Sequence, residues 1–307
     1  MIILPRLEQH FERRVIDAAA AREPKLAAYN VGRCVRDSWY VAHGYAPRLQ
    51  SAESKRTTER GQALERWLVG RICEAIPHAR RAEWKDDKDK RDCPPLPGRV
   101  IADAFVPFED HDEIPVDVKT LSDYTFERAE KGDIGQPYEW QMECYARAYD
   151  TPFALLLGYE VSRGAMCEVS VHRSDERWAA ICSAVATATG ETMPERPYAL
   201  DPSACSGCEG TGKTKVRQQA HAACNGTGLD PLGGCIPKFP CGYCAYRDDC
   251  WGELKEVATG RGPRFRPVAI GASHTTALVA RNREIARNRE EAYRPETEPG
   301  GSDVGNE

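Results

Sequence analysis

Across the middle of the chain, hydrophobic positions switch between helical and strand periods, and each switch marks an element. In 57–76, T-T-E-R-G-Q-A-L-E-R-W-L-V-G-R-I-C-E-A-I, Leu64, Trp67, Leu68 and Ile72 share one helical face. Residues 98–120 hold two short apolar runs, V-I-A-D-A-F-V and I-P-V-D-V-K-T, either side of an acidic loop at 109–113, which predicts a hairpin. A polar stretch, 121–135, leads into a helix that opens at Q-P-Y-E-W-Q-M-E-C-Y. The alternation in 153–172 predicts a second hairpin turning at Arg163 and Gly164, and a helix follows over 174–188. Helix, two strands, helix, two strands, helix is the order of an α/β sandwich with a mixed central sheet flanked by helices.

The flanks read differently. Residues 1–45 carry Leu7, Phe11, Val15 and Ile16 at helical spacing, 46–56 read as a polar loop, and 80–95 as an exposed loop of alternating charge. Residues 201–240 have too few apolar side chains for a core, and the chain beyond 260 is basic, weakly helical over 275–293, then a polar tail. The expected organisation is an N-terminal helical segment to 56, a core over 57–200, an insertion over 201–235, a cysteine cluster over 236–260 and a tail over 261–307.

The first hairpin carries charge where strands should be apolar. Asp103 interrupts one run, and Asp117 and Lys119 sit two apart in the other, on the face opposite Val116 and Val118. Buried charges are costly unless they pair or bind an ion. Two carboxylates from neighbouring strands beside a lysine form a divalent-cation site suited to phosphodiester hydrolysis, although a salt-bridged surface hairpin accounts equally for this stretch alone. Glu65, next to the apolar face of its helix, is placed to complete the metal shell, and Gln141 and Tyr145 share a helical face one turn apart.

With 307 residues and a net charge of -5, the chain is no globally basic nucleic-acid binder, so any grip on a polyanion falls to local patches and bound cations. No apolar run has membrane-spanning length, and M-I-I-L-P-R-L-E does not read as a signal peptide, so a cytoplasmic protein is expected. Thirteen cysteines in a reducing compartment point to metal ligation. The repeats C-S-G-C-E-G-T-G and H-A-A-C-N-G-T-G offer Cys205, Cys208, His221 and Cys224 as a closed zinc site, with Cys235 a substitute for His221. These repeats resemble the cysteine-rich knuckles of DnaJ-type chaperones. In F-P-C-G-Y-C-A-Y-R-D-D-C-W, Cys241, Cys244 and Cys250 suit a [4Fe–4S] cluster, with zinc as the competing occupant. Cys34, in G-R-C-V-R-D-S-W-Y, is a candidate fourth ligand. Trp39, Tyr40, Tyr243 and Tyr246 either pack around that group or stack unpaired bases, with Arg33 and Arg36 meeting phosphates.

Taken in order, Cys34, Gly61 to Glu65, Asp103, Asp117-Val118-Lys119, Gln141 to Tyr145, and Cys241, Cys244 and Cys250 resemble the RecB-like branch of the PD-(D/E)xK nucleases. The resemblance is to its iron–sulfur members, among them CRISPR-associated RecB-type exonucleases, AddB-type nuclease domains and phage relatives, and it spans about residues 30 to 250. It implies a restriction-endonuclease-like core and a Mg²⁺- or Mn²⁺-dependent DNA exonuclease acting at single-stranded ends. Glu65, Asp103, Asp117 and the Val118 carbonyl would hold the metal, Lys119 would act on the water or developing charge, and Gln141 and Tyr145 would steady Lys119 and the DNA end. Cys34 would join the three C-terminal cysteines around the cluster. Glu65 stands where the CRISPR-associated members carry a histidine, and the 205–224 repeat lies outside the common pattern. DNA processing, recombination and CRISPR adaptation, with the integration or recombination proteins each involves, all fit the resemblance. Two other classes are a DNA-end-binding subunit without essential cutting and a metal-stapled adaptor in which the Asp-Val-Lys strand is incidental.

Overall fold

The computed structural model describes residues 26–45, 47–48, 51–83, 88–108, 111–198, 241–257 and 264–267, with residues 8, 10, 11 and 13. The zinc candidates Cys205, Cys208, His221 and Cys224, with Cys235 and the 275–293 helix, lie outside the described residues, as do most of residues 1–25.

In chain order the elements are α1 (Ala28–Val31), α2 (Val35–Ala42), α3 (Ala52–Ala75), β1 (Arg80–Arg81), β2 (Arg91–Asp92), β3 (Arg99–Val100), β4 (Ala104–Phe108) and β5 (His111–Leu121). There follow α4 (Asp123–Ala129), α5 (Gln136–Ala148), β6 (Phe153–Glu160), β7 (Ala165–His172), α6 (Asp175–Thr189), a 3₁₀ turn (Cys241–Tyr243), α7 (Arg247–Trp251), β8 (Leu254–Val257) and β9 (Arg264–Pro267). The central sheet runs β1-β4-β5-β6-β7, and β5 with β6 is its one parallel pair. A parallel pair needs a crossover, which α4 and α5 supply.

Strand alternation builds three layers. Val116 and Val118 of β5 and Phe153 and Leu155 of β6 face Leu68 and Val69 of α3. The opposite face, with Ala154 and Leu156, meets Met142, Tyr145 and Ala146 of α5 and Ile181 and Val185 of α6. Since Val116 and Val118 turn toward α3, Asp117 and Lys119 turn toward α5.

Several expectations change. The first long helix starts at Ala52, inside the segment expected to be a loop, because Ser51 caps it: Ser54 N–H donates to Ser51 Oγ at 3.1 Å. Trp67 is 51% exposed, and Val69 fills the place expected of it in the core. The acidic loop is shorter than 109–113, since β5 begins at His111. Residues 80–95 are not simply exposed. Arg80 lies on the sheet edge, pairing with Glu113 and, at 2.7 Å, with the buried Asp89. The stretch after Leu121 holds α4, capped by Ser122.

Glu143, fully buried on α5, clamps α5 to α6. It accepts from Arg147 Nε at 2.9 Å, Arg177 Nη1 at 2.8 Å and the Ser174 N–H at 3.0 Å. A lost hydrogen-bonded charge of this kind costs about 2 kcal/mol. Glu143→Ala should therefore lower unfolding stability in urea by about 2 kcal/mol, the two half-exposed arginines relaxing onto Asp175 and the His172 carbonyl.

Candidate active site

β5 runs past the start of β4, and Asp103 fills the place its neighbour vacates. The Asp103 N–H donates to the Val116 carbonyl at 3.0 Å, and its Oδ2 accepts the Val118 N–H at 2.9 Å. The carboxylate thus continues the ladder that β4 leaves unfinished. This sets it beside Asp117, which is 2% exposed. Burial and the Asp117 charge push the Asp103 carboxyl up to about 7, against the pull of Lys119.

Asp117 divides its two oxygens between helix and lysine. Oδ1 accepts from Gln141 Nε2 and from the Tyr145 hydroxyl, each at 3.3 Å, and Gln141 Nε2 also donates to Tyr145 Oη at 2.7 Å. Oδ2 lies 2.6 Å from Lys119 Nζ as an ion pair but has no aligned hydrogen-bond partner among the described residues, although it is buried. Burial pushes the Lys119 ammonium down, but Asp117, Asp103 and Glu65 outweigh it and hold it above the ordinary lysine value. Burial and Asp117 push the Tyr145 phenol well up, so it stays a donor.

From the other layer, α3 brings Glu65. Gly61 permits the approach, because a Cβ there would sit 2.9 Å from Thr120 Oγ1. Burial raises the Glu65 carboxyl, with Lys119 opposing and Asp117 adding to the rise. The structure therefore brings Glu65, Asp103, Asp117, Lys119, Gln141 and Tyr145 together. Among the described residues, however, no three His, Cys, Asp or Glu side chains are arranged to hold a metal ion.

Tyr138 joins the site without having been expected. Burial pushes its phenol up, and Lys119, Asp117, Arg33 and Glu65 all act on it. The signal was present: Tyr138, Gln141 and Tyr145 are spaced three and four apart, one stripe of α5. Arg33 is beside this stripe because Gly32 packs on its start, where a Cβ would come within 2.4 Å of Pro137 Cα.

Cys34, Cys241, Cys244 and Cys250 share one region. Cys34 caps α2, and Cys250 adds to the rise that burial causes in its thiol. Burial also raises Cys244 and Cys250. The Cys244 thiol donates to Asp37 Oδ1 at 3.4 Å. Trp39, Tyr40 and Tyr246 form a buried aromatic cluster against Cys244 and Cys250 and so are no base-stacking surface, whereas Tyr243 is 70% exposed. Arg36 donates to the Pro194 carbonyl at 3.2 Å.

No protein-family model and no curated protein matches the sequence. Among solved structures, an alkaline exonuclease from Laribacter hongkongensis is similar at 17% identity and a TM-score of 0.40, over 56% of this chain and 90% of that one. The same exonuclease in complex with dAMP gives 17% and 0.35, over 53% and 89%. A phage-related exonuclease from Haemophilus somnus 129PT gives 16% and 0.34, over 50% and 77%. The functional reading rests on the site itself.

Gln141 and Tyr145 touch Asp117 rather than solvent, so their effect on a cation must pass through that carboxylate. Tyr145→Phe should weaken Mn²⁺ binding by about tenfold in a calorimetric titration, the loss usual for groups that orient a metal ligand.

Proposed function

We propose that this protein is a Mg²⁺- or Mn²⁺-dependent DNA exonuclease of the RecB-like iron–sulfur type. The observation that carries the reading is Asp117: a buried carboxylate with one oxygen anchored on α5 and the other without an aligned hydrogen bond, facing a like-charged neighbour and a lysine. Asp103 and Asp117 supply hard oxygen donors, which fit Mg²⁺ or Mn²⁺ and not a thiophilic ion. Mg²⁺ usually takes one or two carboxylates and completes its shell with substrate phosphate and water, so the lack of a three-carboxylate group is compatible with the site. Glu65, which does not group with the two aspartates as a third direct ligand among the described residues, would act on the shell through a bound water, and the Val118 carbonyl would add an oxygen donor.

When bound, the metal would polarise the scissile phosphodiester and offset its developing negative charge. Lys119, held as a cation among carboxylates, adds a second positive charge at the same point. Gln141 and Tyr145 fix Asp117 so that it need not reorganise during reaction. Tyr138 and Arg33, electrostatically coupled beside Lys119 and Asp117, would meet the approaching strand.

Cys34, Cys241, Cys244 and Cys250 would hold a [4Fe–4S] cluster. All four are free thiols in one region and the sulfur donor set suits iron, but no three of them are gathered closely enough to ligate one ion, so a cluster would have to draw them together. The role is structural, tying α2 to the 241–251 segment. Anaerobically purified protein should be brown and contain iron, and Cys34→Ser should lose both; a colourless protein carrying zinc would replace this assignment.

The activity test is degradation of end-labelled single-stranded and duplex DNA with Mn²⁺ or Mg²⁺. Wild type should shorten single strands from an end, and Asp117→Ala and Lys119→Ala should each lose at least about a hundredfold in rate, as when one charge-stabilising group is removed elsewhere. No cutting with either metal would leave DNA-end binding as the function.

A further inference from the structure

Beyond Lys119 the wall of the site continues into a groove of about 710 Å³, lined by Arg60 and Gly61 of α3, Thr120 at the end of β5, Tyr124 of α4, and Glu160 and Ser162 at the β6–β7 turn. The groove and the site share a wall. Gly61 packs on Thr120, the neighbour of Lys119, and Glu65 lies one helical turn beyond Gly61.

The charges of this groove are unequal in availability. Glu160 is already engaged: its carboxylate accepts the Ser162 and Arg163 N–H groups, both at 2.7 Å, and pairs with the Arg163 guanidinium at 3.2 Å. Asp123 accepts from Ser162 Oγ at 3.3 Å. Arg60 is exposed and makes no ion pair with another described residue. Arg60 is therefore a lining cation without an ion pair among the described residues, while Glu160 and Asp123 are turned to local donors.

Tyr124 is the second unusual feature. It is 71% exposed, yet its surroundings are fixed: Arg128 lies 5.8 Å from its ring centroid and is itself held by Asp133 through bonds of 2.8 and 2.7 Å. An exposed aromatic ring and an exposed arginine lining one groove are a pairing that binds single strands, with stacking for the base and charge for the phosphate. The groove volume lies in the range of sites for nucleotide-sized ligands.

We propose that this groove is the single-strand subsite of the enzyme, in which Tyr124 stacks on an unpaired base and Arg60 meets a phosphate of the strand that continues to Asp103 and Asp117. The proposal rests on the nuclease reading for its purpose, but the binding itself needs no cutting.

Binding is measured in the Asp117→Ala background by fluorescence anisotropy, using a fluorescein-labelled oligo-dT of about 12 nucleotides and a blunt hairpin duplex as separate probes. Tyr124→Ala should raise the Kd for oligo-dT about tenfold and Tyr124→Trp should restore it, since stacking and not the hydroxyl carries the contact. Arg60→Ala should weaken oligo-dT binding and reduce the salt dependence by about one phosphate contact. Binding of the hairpin should change much less. An unchanged Kd in Tyr124→Ala, or an equal loss for oligo-dT and hairpin, overturns the proposal. Tyr124 is exposed, so its variants should keep the wild-type urea midpoint, and Tyr124→Trp guards against a folding effect. If the wild-type protein cuts no DNA but Tyr124→Ala loses oligo-dT, the groove stands and the catalytic reading falls. If it cuts normally and Tyr124→Ala binds normally, the groove falls and the catalytic reading stands.

Discussion

Two carboxylates set side by side, Asp117 buried on β5 and Asp103 partly buried just before β4, set the terms for everything packed around them. Asp103 is pushed up to about 7 by burial and by Asp117, and the structure answers with positive charge and donors from each direction. Lys119 comes from the same strand, and Gln141 and Tyr145 come from α5. The Val118 N–H comes from the strand edge itself. Protonation of Asp103 or a bound divalent cation would relieve the repulsion, and the proposed catalytic role takes the second route.

The two helical layers hold this charge in place by different means. On one side, α3 approaches β5 closely because Gly61 has no side chain to meet Thr120, and this brings Glu65 to the end of the strand. On the other, α5 carries two unlike faces: Tyr138, Gln141 and Tyr145 toward the site, and Glu143 toward α6 through Arg147 and Arg177. The α1–α2 turn joins the same helix at its start, where Gly32 rests on Pro137, and two residues later Cys34 begins the cysteine region. The cysteine region and the helix that carries Gln141 and Tyr145 are therefore mechanical neighbours.

Strand and helix periods made much of this legible. The Val116–Val118 alternation alone assigns Asp117 and Lys119 to the face that α5 covers, and the spacing of Gln141 and Tyr145 puts both on one stripe. What escaped was decided by single tertiary or capping interactions. Ser51 capping moved a helix start into an expected loop. The 80–95 stretch reads as solvated because its charges alternate, yet Arg80 buries Asp89 against the sheet edge. Trp67 shares the helical stripe of Leu64 and Leu68 but falls at its rim, 6.4 Å from Tyr159, and stays exposed. Tyr138 was missed although it continues the Gln141–Tyr145 stripe one turn back, because only the strand beneath that stripe sets it beside the charged site. Trp39, Tyr40 and Tyr246 offered two readings in sequence, and packing against Cys244 and Cys250 decides for the core.

The central claim is that Asp103 and Asp117 share a divalent cation. Anomalous diffraction from a crystal grown with Mn²⁺ tests it most directly. The account predicts one peak between the two carboxylates, with Lys119 Nζ moved from its 2.6 Å contact with Asp117 Oδ2. A peak elsewhere, or none at saturating Mn²⁺ with the ion pair intact, would contradict it.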